Sequence, residues 1–150
     1  MVHDLDVFPY PFAEGTFDEI IADNVIEHLA EPVRVMEELH RISKADGRLT
    51  IMVPYFRSMW AFIDPTHRHF FTVDSFSYYD PRHENNRLYN HSTACFQIER
   101  VVFNESIYRG PVTALVKAIA NRWPGHYELY LSHLYPLDEL TFHLRAVKTP

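Results

Sequence analysis

One strand–helix–strand pattern near the N-terminus constrains the fold of this chain more than any other feature. Residues 17–22 are almost continuously apolar, which is typical of a parallel strand covered on both faces. Residues 31–44 place apolar side chains on one helical stripe, and Pro32 suits the first turn, where its missing N–H would be unpaired anyway. Residues 49–53 form a second apolar run, which Pro54 ends. This order predicts a parallel crossover and therefore an α/β fold.

The rest of the chain continues this pattern in a looser form. Residues 96–103 and 140–147 alternate apolar and polar side chains as strands do, and residues 111–123 predict an amphipathic helix. Residues 55–93 are irregular, aromatic and rich in histidine, and connections of that length are usually functional or contain short helices. The chain is 47% hydrophobic, which is enough to form a core. We predict one domain over residues 1–150, with residues 55–93 as an insert or lid.

The composition limits where the protein can be located in the cell and which classes of partner it can bind. The formal net charge is −6 at pH 7, which disfavours the phosphate backbone of a nucleic acid as a partner. No apolar run approaches the length of about 20 residues that a membrane span requires, and the first residues lack the basic and apolar parts of a signal peptide. Cys95 is the only cysteine, so no internal disulfide can form. We predict a cytoplasmic protein that binds neither nucleic acid nor a membrane.

Short motifs around the first predicted strand carry a family resemblance. The segment Pro9-Tyr10-Pro11-Phe12 is followed by Phe17-Asp18, and Glu27-His28-Leu29 comes after the strand. This arrangement resembles the middle of class I S-adenosylmethionine-dependent methyltransferases of type 11, in which similar motifs flank the fourth strand. The resemblance implies a Rossmann-like sheet in the order 3-2-1-4-5-7-6, with the last strand antiparallel. The fourth, fifth, sixth and seventh strands would be residues 17–22, 49–53, 96–103 and 140–147.

The resemblance also implies a cofactor and residues around it. The cofactor would be S-adenosyl-L-methionine, and the methyl acceptor would be a small molecule. Asp4 would end the third strand and accept a hydrogen bond from the exocyclic amine of adenine, a role that suits a carboxylate, and Asp6 is an alternative. The methionine part would pass the end of the fourth strand, where open α/β sheets bind ligands. The residues implied in cofactor binding are Asp4, Leu5, Asp23, Asn24 and His28.

The chain departs from the family pattern at the cofactor site. Its four glycines (Gly15, Gly47, Gly110 and Gly125) are isolated, so the glycine-rich loop is missing, as is the acidic residue after the second strand. A complete domain would need roughly two more βα units upstream, about 60 residues. We therefore predict a truncated chain with an incomplete methyltransferase fold, containing strands four to seven, that binds the cofactor very weakly by itself.

The missing strands would leave residues 17–22 at the edge of the sheet. This strand is apolar and carries no Lys or Pro to protect it, and unprotected edges promote association. We predict homo-oligomers joined along this edge, and we expect Ile21→Lys to weaken them at a cost to the core. The alternative to an enzyme is therefore a non-catalytic half-domain that mediates oligomerisation.

A segment after the fifth strand offers candidates for catalysis. Asp64, His67 and His69 would lie at the same edge of the sheet as the cofactor. One of them could take a proton from the acceptor during methyl transfer, a role that suits a histidine pKa of about 6.5. The same three residues could instead bind a divalent ion, as in a metal-dependent hydrolase, or form structural hydrogen bonds. For Glu27 the structural interpretation is a helix cap, and His28 is either a cofactor or catalytic contact or a structural residue.

Overall fold

The structure, a computed structural model, describes residues 2–89, 91–104 and 109–148, in which strands and helices alternate. The strands are β1 (Phe17–Asp23), β2 (Ser43–Pro54), β3 (Phe96–Phe103) and β4 (Glu139–Ala146). The α-helices are α1 (Pro32–Ile42), α2 (Trp60–Ile63), α3 (Glu84–Tyr89), α4 (Pro111–Arg122) and α5 (Pro124–His126). Short 3₁₀ turns cover Ile26–His28 and Ser77–Tyr79, and α5 continues into a π-helical turn at Tyr127–Leu131.

The strands form one mixed sheet in the order β1-β2-β4-β3. β1 pairs with β2 in parallel, and β4 runs antiparallel to both β2 and β3. This is the 4-5-7-6 part of the predicted order, with the last strand antiparallel, so the predicted fold class is confirmed. In the described part of the chain β1 lies at the edge of the sheet, as the sequence predicts.

One face of the sheet, here called the covered face, carries the core. Leu49 and Ile51 of β2 pair with Leu144 and Phe142 of β4, and all four side chains are almost fully buried. The loop after β2 adds Phe76, whose ring meets that of Phe142 edge to face, with the centroids 4.7 Å apart. The buried stripe of α1 joins the same core through Val35, Met36, Leu39 and Ile42. This face therefore receives both the helix and the loop that the sequence places around β2.

The opposite face, here called the open face, is mainly polar. Thr50 of β2 pairs with His143 of β4, and both side chains are only half-buried. Arg48 and Arg100 are exposed beside them, and these residues line a cavity of about 440 Å³. Ile21 of β1, which pairs with Thr50, is 62% exposed on the same face. The expected cost of Ile21→Lys to the core is therefore wrong, because Ile21 does not lie in the core.

β2 begins earlier than the sequence predicts. Residues 43–44 fall at the end of the predicted helix and residues 45–48 between it and the predicted strand, yet all six belong to β2. The register between β1 and β2 shifts in this region, where Asp46 has a φ of 60°. A Cβ at Gly47 would lie 2.9 Å from the carbonyl oxygen of Lys44, so only glycine fits here without displacement. A strand with an internal irregularity thus replaces the expected connection.

The N-terminal segment is packed on α1 and forms no strand. Residues 2–8 form no strand, and no described strand offers Asp4 a ladder, so the third strand that the resemblance implies at Asp4 is not formed in the described chain. Tyr10 is 3% exposed, and its backbone N–H donates to the Glu38 carboxylate at 2.7 Å. Arg41 donates to the carbonyl oxygens of Tyr10 and Phe12. These bonds to α1 hold the segment.

Helix α4 confirms the helix that the sequence predicts near residues 111–123. Its buried side chains are the small Thr113 and Ala120, whereas Val112, Leu115 and Trp123 are more than half exposed. No helix within the described ranges is long and apolar enough to cross a membrane.

Candidate functional site

The carboxyl ends of β1 and β2 lie side by side at one edge of the sheet. Asp23 ends β1 opposite Met52 of β2. The chain then turns at Asn24, whose φ of 48° is a left-handed conformation that asparagine tolerates better than most residues. The Asn24 backbone N–H donates to the Met52 carbonyl oxygen at 3.0 Å, and its side-chain amide donates to the Asp23 carboxylate at 2.8 Å. Asp23 and Asn24 are thereby fixed at the edge where open α/β sheets bind ligands.

The loop after β2 folds back onto the turn after β1. The backbone N–H groups of Arg68 and His69 both donate to the carbonyl oxygen of Glu27, at 2.8 and 3.2 Å. The His69 ring adds a bond from Nε2 to the Leu29 carbonyl oxygen at 2.9 Å. The predicted position of residues 64–69 at the ligand edge of the sheet agrees with these contacts.

Three side chains from these two loops converge. One potential ligand atom each from Glu27, His28 and His67 lies within 4.8 Å of the other two. The rings of His28 and His67 meet edge to face, with centroids 4.7 Å apart. We call these three residues the Glu-His-His cluster. It exists because the backbone bonds to Glu27 bring two distant parts of the chain together.

Glu27 is the unexpected member of the cluster. It is 1% exposed, and both carboxylate oxygens lack a hydrogen-bond partner among the described residues. Burial raises the pKa of this carboxyl above its ordinary value, and its own backbone N–H and the nearby His28 and His67 oppose the rise. The prediction that Glu27 caps a helix is wrong, because neither the Ile26–His28 turn nor α1 has a side-chain cap.

Both imidazoles of the cluster are held through Nδ1. His28 Nδ1 lies 2.9 Å from the Thr66 hydroxyl, and that hydroxyl donates to the Asp64 carboxylate at 2.6 Å. His67 Nδ1 lies 3.0 Å from the carbonyl oxygen of Ala61. The hydrogen bonds from Thr66 to Asp64 also lower the pKa of that carboxyl. Asp64 therefore orients His28 through Thr66.

The structure separates the three predicted catalytic residues. His67 joins the cluster, Asp64 reaches it only through Thr66, and His69 turns its Nε2 towards Leu29. Their catalytic roles stay predictions. The Asp-Pro-Thr sequence could have indicated the role of Thr66, since an Asp side chain often accepts from the backbone two residues on. Nothing in the sequence marks the Glu27 carboxylate as unpartnered.

An apolar cavity of about 240 Å³ lies along β1 and α1, and its lining includes Leu5, Phe17, Ile26 and Leu39. Leu5 therefore lies in this cavity, and its role in cofactor binding stays a prediction. Asp4 and Asp6, in contrast, accept backbone hydrogen bonds from Asp6 and Ala30. The cavity offers an apolar wall for a flat ring, but the chain has no glycine-rich loop for the ribose and carboxylate of S-adenosyl-L-methionine. The residues present fit one part of the cofactor and not the whole of it.

Comparison with known families supports the resemblance that the motifs carry. Residues 2–51 match the sequence model of a family described as "Methyltransferase domain". The matched stretch contains β1, α1 and most of β2, together with the Glu-His-Leu motif. No curated protein matches the chain.

Solved structures share the fold at low sequence identity. The putative methyltransferase in a complex with the Haloferax volcanii Trm112 methyltransferase activator has a TM-score of 0.60 and 15% identity, over 99% of this chain and 61% of that one. A SAM-dependent methyltransferase from Archaeoglobus fulgidus has a TM-score of 0.56 and 13% identity, over 97% and 66%. The [4+2]-cyclase SpnF has a TM-score of 0.55 and 18% identity, over 99% and 56%. The chain thus spans less than two thirds of the length of each structure.

The strand order, the motifs and the family match agree with one another. The fold is that of class I S-adenosylmethionine-dependent methyltransferases, and the resemblance to this family is confirmed. The family implies S-adenosyl-L-methionine as the cofactor. One of the similar structures is named as a cyclase, so the reaction of this chain has to be argued from its site and not from its fold.

Proposed function

We propose that this chain supplies the acceptor side of an S-adenosylmethionine-dependent methyltransferase that acts on a small molecule. The observation that carries the proposal is the convergence of the Glu-His-His cluster beside the end of β1, next to Asp23 and Asn24. His28 and His67 are half-buried, so an acceptor can reach the cluster from solvent.

The role of these residues in the reaction would be mainly to position the acceptor. When bound, S-adenosyl-L-methionine supplies an activated methyl group on a sulfonium. Transfer of that group depends on holding it in line with the acceptor nucleophile. The cluster offers polar contacts for the nucleophile. Phe62 and Phe70, from the same loop as His67, stack with centroids 4.6 Å apart and stay exposed. Such an apolar wall with few polar groups suits a flat acceptor, and residues 55–93 would act as the acceptor-binding insert.

The contacts to the ribose and the carboxylate of the cofactor would come from a glycine-rich segment that residues 1–150 do not contain. We therefore expect calorimetry to detect no micromolar binding of S-adenosyl-L-methionine by this chain alone. A longer chain that includes an upstream glycine-rich segment should bind it. Micromolar binding by residues 1–150 would show that a substitute site exists and would contradict this division of the site.

The methyl-transfer proposal is tested on the longer chain with a labelled methyl donor and a panel of small aromatic and sugar-like acceptors. His67→Gln should reduce transfer, whereas His126→Gln, which changes an exposed histidine in α5, should leave it unchanged. If the longer chain binds the cofactor and methylates nothing, or if the two variants transfer methyl groups equally, the proposed role of the cluster is wrong.

A second candidate function is assembly through the sheet edge. β1 ends the described sheet on one side, and Ile21 is 62% exposed there. A half-domain that pairs along this edge needs no cofactor, and light scattering of Ile21→Lys beside the unchanged chain tests it.

A further inference from the structure

We propose that the Glu-His-His cluster is a binding site for a divalent transition-metal ion, and Zn²⁺ is the ion that its ligands fit best. The ligands would be the Glu27 carboxylate and the imidazoles of His28 and His67. This inference goes beyond methyl transfer and does not depend on it, because metal binding is measured without cofactor or acceptor.

The unpartnered carboxylate of Glu27 is the main reason for this inference. A buried charged group is normally paired or coordinates a metal ion, because loss of hydration is costly. Glu27 is 1% exposed, and neither of its oxygens has a hydrogen-bond partner in the described part of the chain. An atom of each histidine lies within 4.8 Å of the carboxylate, yet neither ring donates to it. A cation between the three side chains would satisfy the carboxylate.

The hydrogen bonds of the two rings engage the same nitrogen, Nδ1, in both histidines. The Thr66 hydroxyl gives its proton to Asp64, so it accepts from His28 Nδ1. The carbonyl oxygen of Ala61 can only accept, so His67 Nδ1 also carries a proton. Each neutral ring therefore has Nε2 left as a lone-pair ligand. Histidines that bind metals are usually held in this way, by a bond from the other ring nitrogen to a carbonyl or carboxylate group.

The spacing and the donor types select the class of ion. Zinc binds histidine nitrogen and carboxylate oxygen at about 2.0–2.2 Å, so in tetrahedral geometry two of its ligand atoms lie about 3.4 Å apart. The observed limit of 4.8 Å therefore requires the three side chains to close by up to about 1.4 Å when the ion binds. Two imidazoles and one carboxylate suit zinc and its first-row neighbours, whereas Mg²⁺ prefers oxygen ligands. Three protein ligands leave a coordination position for water or a substrate oxygen.

Metal titration of the purified chain tests the proposal. The metal-free protein is titrated with Zn²⁺ and with Mg²⁺ by calorimetry, and Co²⁺ is used as a spectroscopic probe of coordination. We expect one equivalent of Zn²⁺ to bind and to raise the unfolding temperature, because a ligand that binds only the folded state stabilises it. Mg²⁺ should have no effect. No Zn²⁺ binding, or binding without a change in unfolding temperature, would contradict the site.

Variants assign the binding to these residues. Glu27→Gln and His67→Gln should each weaken Zn²⁺ binding at least tenfold, and Thr66→Val should weaken it less, because it removes only the bond that orients His28. His126→Gln is the matched control and should bind like the unchanged protein. Without metal, Glu27→Gln should unfold at the same or a higher temperature, since it removes an unpaired buried charge. If Glu27→Gln or His67→Gln binds Zn²⁺ as tightly as the control, the ion lies elsewhere and the proposal is wrong.

Discussion

The two faces of the sheet are built from the same strands, yet their side chains have different surroundings. On the covered face, Ile51 and Phe142 form a buried pair between β2 and β4. One residue away on each strand, Thr50 and His143 form a half-buried polar pair on the open face. The alternation of a strand produces this contrast, because successive side chains point to opposite faces. The stability of the described fold therefore rests on the covered face, and the open face and the edge of β1 are available to other segments or molecules.

Phe142→Ala, on the covered face, should lower the free energy of unfolding more than any substitution on the open face. Its ring is fully buried against Phe76, so the truncation should lower the free energy of unfolding by about 3–5 kcal/mol. The neighbouring His143→Ala on the open face should lower it by about 0.5 kcal/mol or less. Urea unfolding followed by circular dichroism measures both changes. Similar losses for the two variants would show that the open face is covered in solution.

Asp80 gives a second test of how much the covered face stabilises the fold. Its carboxylate joins the loop after β2, which packs on this face, to β3. It is 4% exposed, and its carboxylate accepts hydrogen bonds from the backbone N–H of Ile98 and from Arg82. Asp80→Asn should lower the free energy of unfolding by about 1–3 kcal/mol at neutral pH, since it weakens bonds to a buried acceptor. Asp74→Asn, which changes an exposed carboxylate, is the control and should have little effect.

The loss on Asp80→Asn should also depend on pH. Burial acts to raise the pKa of Asp80, but the bonds from Arg82 and Ile98 outweigh it and lower the pKa. A carboxyl with a lowered folded-state pKa stabilises the protein above its unfolded-state pKa, about 3.9, and this contribution is lost as the pH falls through the folded-state value. The difference between the unchanged protein and Asp80→Asn should therefore shrink below about pH 4. A difference that stays constant down to pH 2 would show that the charge of Asp80 does not stabilise the fold.

Sequence reasoning predicted the sheet well because local signals and family motifs agreed. The apolar runs and the stripe of α1 gave the correct elements, and the resemblance gave the order of the four strands. Residues 43–48 were not predictable as strand, because Asp46-Gly47 has the composition of a turn and only pairing with β1 makes the segment part of the sheet. The prediction that β1 is covered on both faces is wrong, since Ile21 is 62% exposed, and the apolar run could not show that only one face would be covered.

The candidate site was predictable in position but not in composition. The segments 23–29 and 64–69 follow neighbouring parallel strands, so their meeting at one edge follows from topology. Which side chains converge depends on the two backbone bonds from residues 68 and 69 to Glu27, and these bonds have no sequence signal. Glu27 therefore looked like a helix cap, and His69 looked equivalent to His67, until the loop conformation was known.

Ile21→Lys should have the smallest effect on the fold and the clearest effect on assembly. Ile21 is exposed on the open face of the edge strand, so the substitution should change the free energy of unfolding of the monomer by about 0.5 kcal/mol or less. If chains associate along β1, as its unpaired edge predicts, a lysine there adds a charge to the contact and weakens it. Light scattering over a range of concentrations should then show larger species for the unchanged chain and the 17.7 kDa monomer for the variant.

Val33→Lys, on α1 and also exposed, tests whether any added lysine has this effect. A chain that stays monomeric at high concentration would show that the edge of β1 is not an association surface, and the contrast between the two faces would then have no consequence for assembly.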